Sequence, residues 1–237
     1  MQLIQPGETA TAHRHVAFAL RFIIEGDRGF TAVEGQKISM SRFVTHLCSG
    51  VDCRGDVILT PSWHWHDHGH EGEGPMIWLD GLDLPMFQAI PVNFAQPYEE
   101  RRYPSMETPH SMHKFPWKQV LETLNGMSGP YARYQYLLPG GHQLSAVIGA
   151  EAERLEVGAA SPLRQETASF VVHIVEGEGY TEIGEKRLQW TRSDTFCVPA
   201  WQPHRHFNTG REKVYLFSFS DRPLLEKLGM FRRQNEI

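Results

Sequence analysis

The sequence predicts an all-β protein made of one β-barrel or sandwich domain occurring twice, with a few short helices. Three observations carry that expectation. The chain repeats itself, since Pro6-Gly7 through Glu25-Gly26 matches Val157-Gly158 through Glu176-Gly177 without a gap. Gly55-Asp56 through Pro61-Ser62-Trp63 likewise matches Ser193-Asp194 through Pro199-Ala200-Trp201, and the match continues at His66/His204, His68/His206, Asp83/Asp221 and Pro85/Pro223. Both copies read as short apolar segments broken by turn residues, which is the pattern of antiparallel barrels and sandwiches.

Taken in order, the turns fall at Gly26-Asp27-Arg28-Gly29, Val33-Glu34-Gly35, Gly177-Glu178-Gly179 and Ile183-Gly184-Glu185. The first copy carries extra residues, Phe43 to Arg54, that hold two of the three cysteines. Without them Met40-Ser41-Arg42 would join Gly55-Asp56 as Trp190-Thr191-Arg192 joins Ser193-Asp194, so the stretch reads as a surface loop or a gene-model artefact. A segment rich in Pro and charge, roughly 95–130, separates the copies, and we expect domains at 1–105 and 106–237. Within it, the stretch from Phe115-Pro116-Trp117 to Leu124 has helical spacing after a proline suited to a helix start. A second short helix is expected near Leu224 to Leu228, ending at Gly229. The second copy has β-like sequence from Tyr131 to Leu138 ahead of its first block, whereas Met1 aligns with Ala152, so the first domain is expected to lack its leading strands.

Composition excludes several classes. With 237 residues, 41% hydrophobic and 22% charged, the chain can bury ordinary cores. A net charge of −5 leaves no basic footprint for nucleic acid or an anionic membrane. The apolar runs are short and interrupted by charge, and Met1 to Pro6 has no signal-peptide character. Cys48, Cys53 and Cys197 form no Cys-x-x-Cys pair, which argues for a reducing, cytoplasmic setting.

The chemistry lies in the histidines. His13 and His15 are two apart, so they lie on one face of a strand. His66, in the run Thr60-Pro61-Ser62-Trp63-His64-Trp65-His66-Asp67-His68, adds a third imidazole from a distant strand. Three ligands on one side of a metal leave the other side open, as in catalytic rather than structural sites. The bland alternative is a solvated His-rich surface, but the joint spacing favours a mononuclear site, with Fe(II) the expected ion. His64 and His70 read as loop or rim residues.

The spacing Gly7-x5-His13-x-His15, then Gly55-x5-Pro61-x4-His66, is similar to the two motifs of cupins, jelly-roll barrels whose metal ligands come from two strands. The glutamate ligand usual in the first motif is replaced by Ala19. Adding Arg21-Phe22, Trp63-x-Trp65-His66-Asp67-His68-Gly69 and Ile77-Trp78-Leu79-Asp80-Gly81-Leu82-Asp83, the chain resembles the gentisate 1,2-dioxygenase family of bicupin enzymes, which includes salicylate and 1-hydroxy-2-naphthoate dioxygenases. The resemblance implies two cupin domains and Fe(II) on His13, His15 and His66. It also implies an aromatic hydroxy-carboxylate and O2 as substrates and a homo-oligomer. Gentisate would be cleaved between its carboxyl- and hydroxyl-bearing carbons to give maleylpyruvate.

Arg21, six residues after His15 and on the same face if the strand continues, resembles the clamp for the substrate carboxylate. His68 and Asp80 match positions near the ring hydroxyls, where they would orient the substrate or move protons. Trp63 and Trp65 would shape the aromatic pocket. For Arg21 the competing reading is an ordinary salt bridge, and for His68 and Asp80 a packing hydrogen bond. In the second copy Arg164 and Glu166 stand at the places of His13 and His15, with His204 at that of His66, so that domain is expected to have a degenerate metal site and a structural role. Two other functional classes compete: an impaired relative that only binds metal or ligand, and a His-rich metal module without redox chemistry.

Overall fold

The computed structural model describes residues 1–40 and 55–234. The chain divides into two compact units, Met1–Lys118 and Gln119–Ile237. The extra stretch Phe43–Arg54, with Cys48 and Cys53, lies outside the described residues.

The first unit contains β1 (Gln2–Ile4), β2 (Thr9–His15), β3 (Ala19–Glu25), β4 (Gly29–Val33), β5 (Gln36–Met40), β6 (Val57–Thr60), β7 (His66–His70) and β8 (Met76–Leu82). After the one-turn helix α1 (Met86–Ala89) come three short strands, β9 (Ala95–Pro97), β10 (Met106–Glu107) and β11 (Lys114–Phe115). One sheet runs β1-β8-β3-β6-β11 and the other β10-β5-β4-β7-β2-β9. The pairing of β10 with β5 and of β11 with β6 carries this unit past the boundary expected at residue 105. Side chains from both sheets, Ile23, Ile58 and Trp78 from one and Val33, Ile38 and Met40 from the other, form a shared core. Helix α2 (Trp117–Gly126) starts beside the expected proline, and its Trp117 backbone N–H donates to Asp56 Oδ1 at 2.8 Å.

The second unit has β12 (Tyr131–Gln135), β13 (Leu137–Leu138), β14 (His142–Gln143), β15 (Gly149–Leu155), β16 (Phe170–Glu176), β17 (Glu178–Ile183), β18 (Lys186–Thr191), β19 (Thr195–Val198), β20 (His204–Asn208) and β21 (Val214–Ser220). Its sheets run β12-β15-β21-β16-β19 and β18-β17-β20, with β13-β14 as a small hairpin. Helix α3 (Arg222–Lys227) stops before Gly229, whose φ of +68° suits a C-terminal cap.

The repeat is visible in detail. Strands β3 and β16 each slip register against their neighbour at matching places, between Ile23 and Glu25 and between Ile174 and Glu176. Each then turns at a glycine of positive φ, Gly26 or Gly177. At Gly26 a Cβ would lie 2.7 Å from the Met76 backbone, so this corner needs glycine for both its conformation and its space.

Candidate metal centre

Strands β2 and β7 are antiparallel neighbours, and their register sets His13 directly opposite His66. His15, two residues further along β2, reaches the same face. The rings gather with centroids 4.3 Å apart for His13 and His66, 4.6 Å for His15 and His66, and 5.4 Å for His13 and His15. One nitrogen from each ring lies within 4.8 Å of the others, and this is the one such metal-binding group among the described residues.

Hydrogen bonding decides which nitrogens are available. Nδ1 of His13 donates to the Thr11 carbonyl at 2.7 Å, that of His15 to Ala17 at 2.8 Å, and that of His66 to His64 at 2.8 Å. A carbonyl only accepts, so each ring carries its proton on Nδ1 and keeps a lone pair on Nε2. Nε2 of His66 is buried and has no hydrogen-bond partner. Burial pushes His66 down to about 3 and also lowers His15, which holds both in the neutral form that binds metal. The donor set therefore fits a divalent cation with an open face. The residue at the usual carboxylate position, Ala19, is buried and contributes no charge.

Arg21 sits in β3, in the opposite sheet, because the strand containing His15 does not continue through it. The chain leaves β2 at His15 and begins β3 at Ala19. The expected common strand is thus replaced by a crossing between sheets. Arg21 is 5% exposed and lies opposite Asp80 in register, with Nε 3.3 Å from Asp80 Oδ1. Its Nη1 donates to Thr60 Oγ1 at 2.6 Å, while Trp78 Nε1 donates to Asp80 Oδ1 at 3.1 Å. Burial raises the Asp80 carboxyl and the guanidinium pulls it part of the way back. The same guanidinium adds to the burial that lowers His15, His66 and His68, so its charge lies within electrostatic range of the histidine cluster.

His68 is buried, with its ring centroid 5.6 Å from that of His66, and its Nδ1 is 2.9 Å from Thr31 Oγ1. Burial holds it well below the usual histidine range. Thr60 opens the motif run that ends at His68, whereas Thr31 carries no motif of its own. The clue to Thr31 lies in the repeat, because Thr181 meets His206 Nδ1 in the second unit at 2.8 Å.

Trp63 and Trp65 flank the turn that leads into β7. Both rings stack on Arg14, whose guanidinium carbon is 4.5 Å from each ring, and Arg14 projects from β2 on the face opposite His13 and His15. The left-handed backbone at Trp63, φ +63°, turns its ring that way, against Phe94. His64 lies in the turn before β7 with its ring centroid 6.1 Å from that of His113. His70 is no rim residue: it is buried in β7 and donates from Nε2 to the Asp27 carbonyl at 2.9 Å.

Comparison with known proteins agrees with this geometry. The sequence model described as "Cupin domain" matches residues 152–220. The chain is 32% identical to "Gentisate 1,2 dioxygenase 1" of Aquipseudomonas alcaligenes, over 98% of this chain and 72% of that protein. The crystal structure of a salicylate 1,2-dioxygenase from Pseudaminobacter salicylatoxidans superposes with a TM-score of 0.85 at 27% identity, covering 98% of this chain and 73% of that one. A structure of the salicylate 1,2-dioxygenase described as adducts with gentisate gives a TM-score of 0.84 at 26% identity, over 98% of this chain and 70% of that one.

Proposed function

Because this chain belongs to the gentisate 1,2-dioxygenase family of ring-cleaving oxidoreductases, we propose that it cleaves gentisate to maleylpyruvate with Fe(II) held by Nε2 of His13, His15 and His66. The observation that carries the assignment is the convergence of those three nitrogens, each freed by an Nδ1 bond to a backbone carbonyl. Bound there, Fe(II) would supply open coordination positions and redox chemistry with O2, both atoms of which enter the product. An all-neutral donor set leaves the ion's charge uncompensated, which favours a chelating dianion over a neutral phenol.

The protein residues would then divide the remaining work. Arg21, whose Nη1 donates to Thr60 and whose Nε faces Asp80, offers the rest of its guanidinium to the substrate carboxylate. Asp80, across the ladder, keeps that guanidinium oriented. His68 is neutral and meets a hydroxyl that can both donate and accept, so it can hold or release a proton at Nε2 near the ring hydroxyls while Thr31 adjusts at Nδ1. The chemistry belongs to the first unit, and the second, with Arg164 and Glu166 at the places of two ligands, serves a structural role. Relatives acting on gentisate and salicylate share the chelating hydroxy-carboxylate, so substrate choice is decided by whatever meets the remaining ring positions.

The test is anaerobic reconstitution with Fe(II), followed by O2 uptake and product absorbance with gentisate, salicylate and 1-hydroxy-2-naphthoate, alongside His66→Ala. Iron-dependent turnover of gentisate, lost in the variant, is expected. Turnover of another hydroxy acid alone would reassign the substrate, and iron binding without turnover would make the chain a ligand-binding relative. No iron binding by the folded chain would remove the metal assignment.

A further inference from the structure

Strand alternation puts the side chains that stand between the clustered histidines on the far side of the sheet. Arg14 lies between His13 and His15, and Asp67 between His66 and His68, so both face away from the cluster. One segment, residues 94–103, holds them both. Gln96 Oε1 accepts from Arg14 Nε at 2.9 Å and from Nη2 at 2.7 Å. Asp67 is fully buried and takes its donors from the other end of the segment, Arg102 Nε at 2.8 Å and the Tyr103 backbone N–H at 3.0 Å.

The segment crosses a fault in the ladder. Strands β2 and β7 pair at Ala10 with His68 and at His13 with His66, and the register slips between these points. Ala12, inside the slip, bonds the segment instead: its N–H donates to the Arg101 carbonyl at 2.9 Å, and its carbonyl accepts from the Tyr98 N–H at 2.9 Å. β9, the first part of the segment, pairs with β2 along His13 to His15. Strands joined through a slipped ladder can shear, and here His66 rides on one strand while His13 and His15 ride on the other. In the second unit the counterpart of β2 forms isolated bridges, and Arg205, at the place of Asp67, donates from Nε straight to the Ser161 carbonyl at 2.7 Å. A carboxylate cannot donate, so Asp67 draws its donors from the segment.

We propose that Asp67 and Arg102, with Arg14 and Gln96, are positioning residues for the metal centre: through them residues 94–103 lock β2 to β7 and set the spacing of His66 from His13 and His15. The inference rests on the reading of those imidazoles as metal ligands. The four side chains act through the strands that carry the ligands. Donor distances at metal sites hold to within about 0.2 Å, so a small shear between the strands is enough to open the set.

The experiment titrates Co(II), an ion suited to imidazole donors, and reads its visible absorption bands. It compares the unaltered chain, Asp67→Asn, Arg102→Gln, the double variant and Gln96→Ala, with the melting temperature of each metal-free protein measured alongside. Asp67→Asn and Arg102→Gln are each expected to weaken Co(II) binding by about 10- to 100-fold and to shift the bands. The double variant should be no weaker than the worse single one, because the pair acts as one link. Gln96→Ala, at an exposed side chain, should weaken binding in the same direction. Variants that melt lower yet bind Co(II) with unchanged affinity and bands overturn the proposal, since the segment would then only stabilise the fold. Fully additive losses in the double variant overturn the link between Asp67 and Arg102. Should Asp67→Asn not fold, Arg102→Gln and Gln96→Ala carry the same comparison, and unchanged Co(II) binding in both overturns the proposal. No binding by the unaltered chain would remove the metal reading itself and the proposal with it, a result distinct from unaltered binding that the variants leave unchanged.

Discussion

Replacing Asp80 by asparagine tests the substrate clamp and the fold together. The change is nearly isosteric but removes the carboxylate that, among the described residues, pairs with Arg21, a guanidinium that is 5% exposed. What remains is a buried cation whose only described hydrogen bond is to Thr60 Oγ1. Breaking a buried pair from one side costs about 3–5 kcal/mol, and the lower figure applies because the Asp80 side chain keeps 13% exposure. For a unit the size of Met1–Lys118, about 3 kcal/mol lowers the melting temperature by roughly 12 °C. Calorimetry of Asp80→Asn should show that shift, and equilibrium binding of the aromatic hydroxy acid should weaken as Arg21 loses its orientation. Replacing both partners, Arg21→Met with Asp80→Leu, should recover most of the stability while leaving binding lost, because two apolar side chains bury no unpaired charge. A loss below about 1 kcal/mol in the single variant would show that Arg21 does not depend on Asp80, and Asp80 would have no part in orienting it.

Four further outcomes follow from the same geometry. Metal at a hundredfold excess over its dissociation constant should stabilise the protein by about 2.7 kcal/mol, and a chelator or His66→Ala should remove that increment; its survival in the variant would place the ion elsewhere. Thr31→Val leaves Nδ1 of buried His68 without its partner, so kcat should fall about tenfold at unchanged metal content, and an unchanged kcat would separate Thr31 from the chemistry. In the second unit burial holds His173 and His204 near 4 and His206 near 3, each below its unfolded value of 6.5. The unfolded chain then binds more protons, so stability falls as pH drops below 6.5; Glu153, raised by burial to about 7, opposes one of the three between pH 7 and 4.5. The net loss from these four groups is about 2 kcal/mol per pH unit between pH 6 and 5, and a melting temperature flat across that interval would contradict it. Gly69→Ala would place a Cβ 2.3 Å from Phe30 Cζ in the strand carrying His66 and His68. A cost of about 1–3 kcal/mol by thermal melting is expected, and none at all would mean that β7 has slack the packing does not show.

The sequence disclosed the duplication because turns and histidines leave marks at fixed places. Glu34-Gly35 forms the two-residue hairpin between β4 and β5 with both residues at positive φ, and the cluster of His13, His15 and His66 follows from strand alternation plus one pairing. What sequence spacing could not show was where a strand stops. Arg21 is six residues from His15, yet Val16 to Phe18 carries the chain into the other sheet, and Arg21 approaches the cluster from there. Trp63 and Trp65 read as pocket walls because aromatic side chains suit an aromatic substrate, and their packing on Arg14 has no mark in the sequence. Backbone handedness at Trp63 is a local torsion with no periodic signature, and its ring lies against Arg14 and Phe94. Thr31 has no mark in the sequence because a threonine in a strand is ordinary, and only its contact with His68 distinguishes it.

The carbonyls that orient the three imidazoles all lie within two residues of the ring they hold: Thr11 for His13, Ala17 for His15 and His64 for His66. Tautomer and aim are therefore fixed by local backbone rather than by the ion, so the site is organised before metal arrives and spends little on ordering side chains when it does. The same local rule holds His204 through Gln202 in a unit with no imidazole at Arg164 or Glu166. A backbone that aims side chains irrespective of their chemistry can receive a divalent ion in one copy and a guanidinium in the other without altering the fold. Divergence between the two halves falls on the segment after the first glycine, where His13 and His15 stand on β2 while Arg164 and Glu166 form isolated bridges, and on the Glu153 partner of Arg164, whose place in the first copy is taken by Gln2.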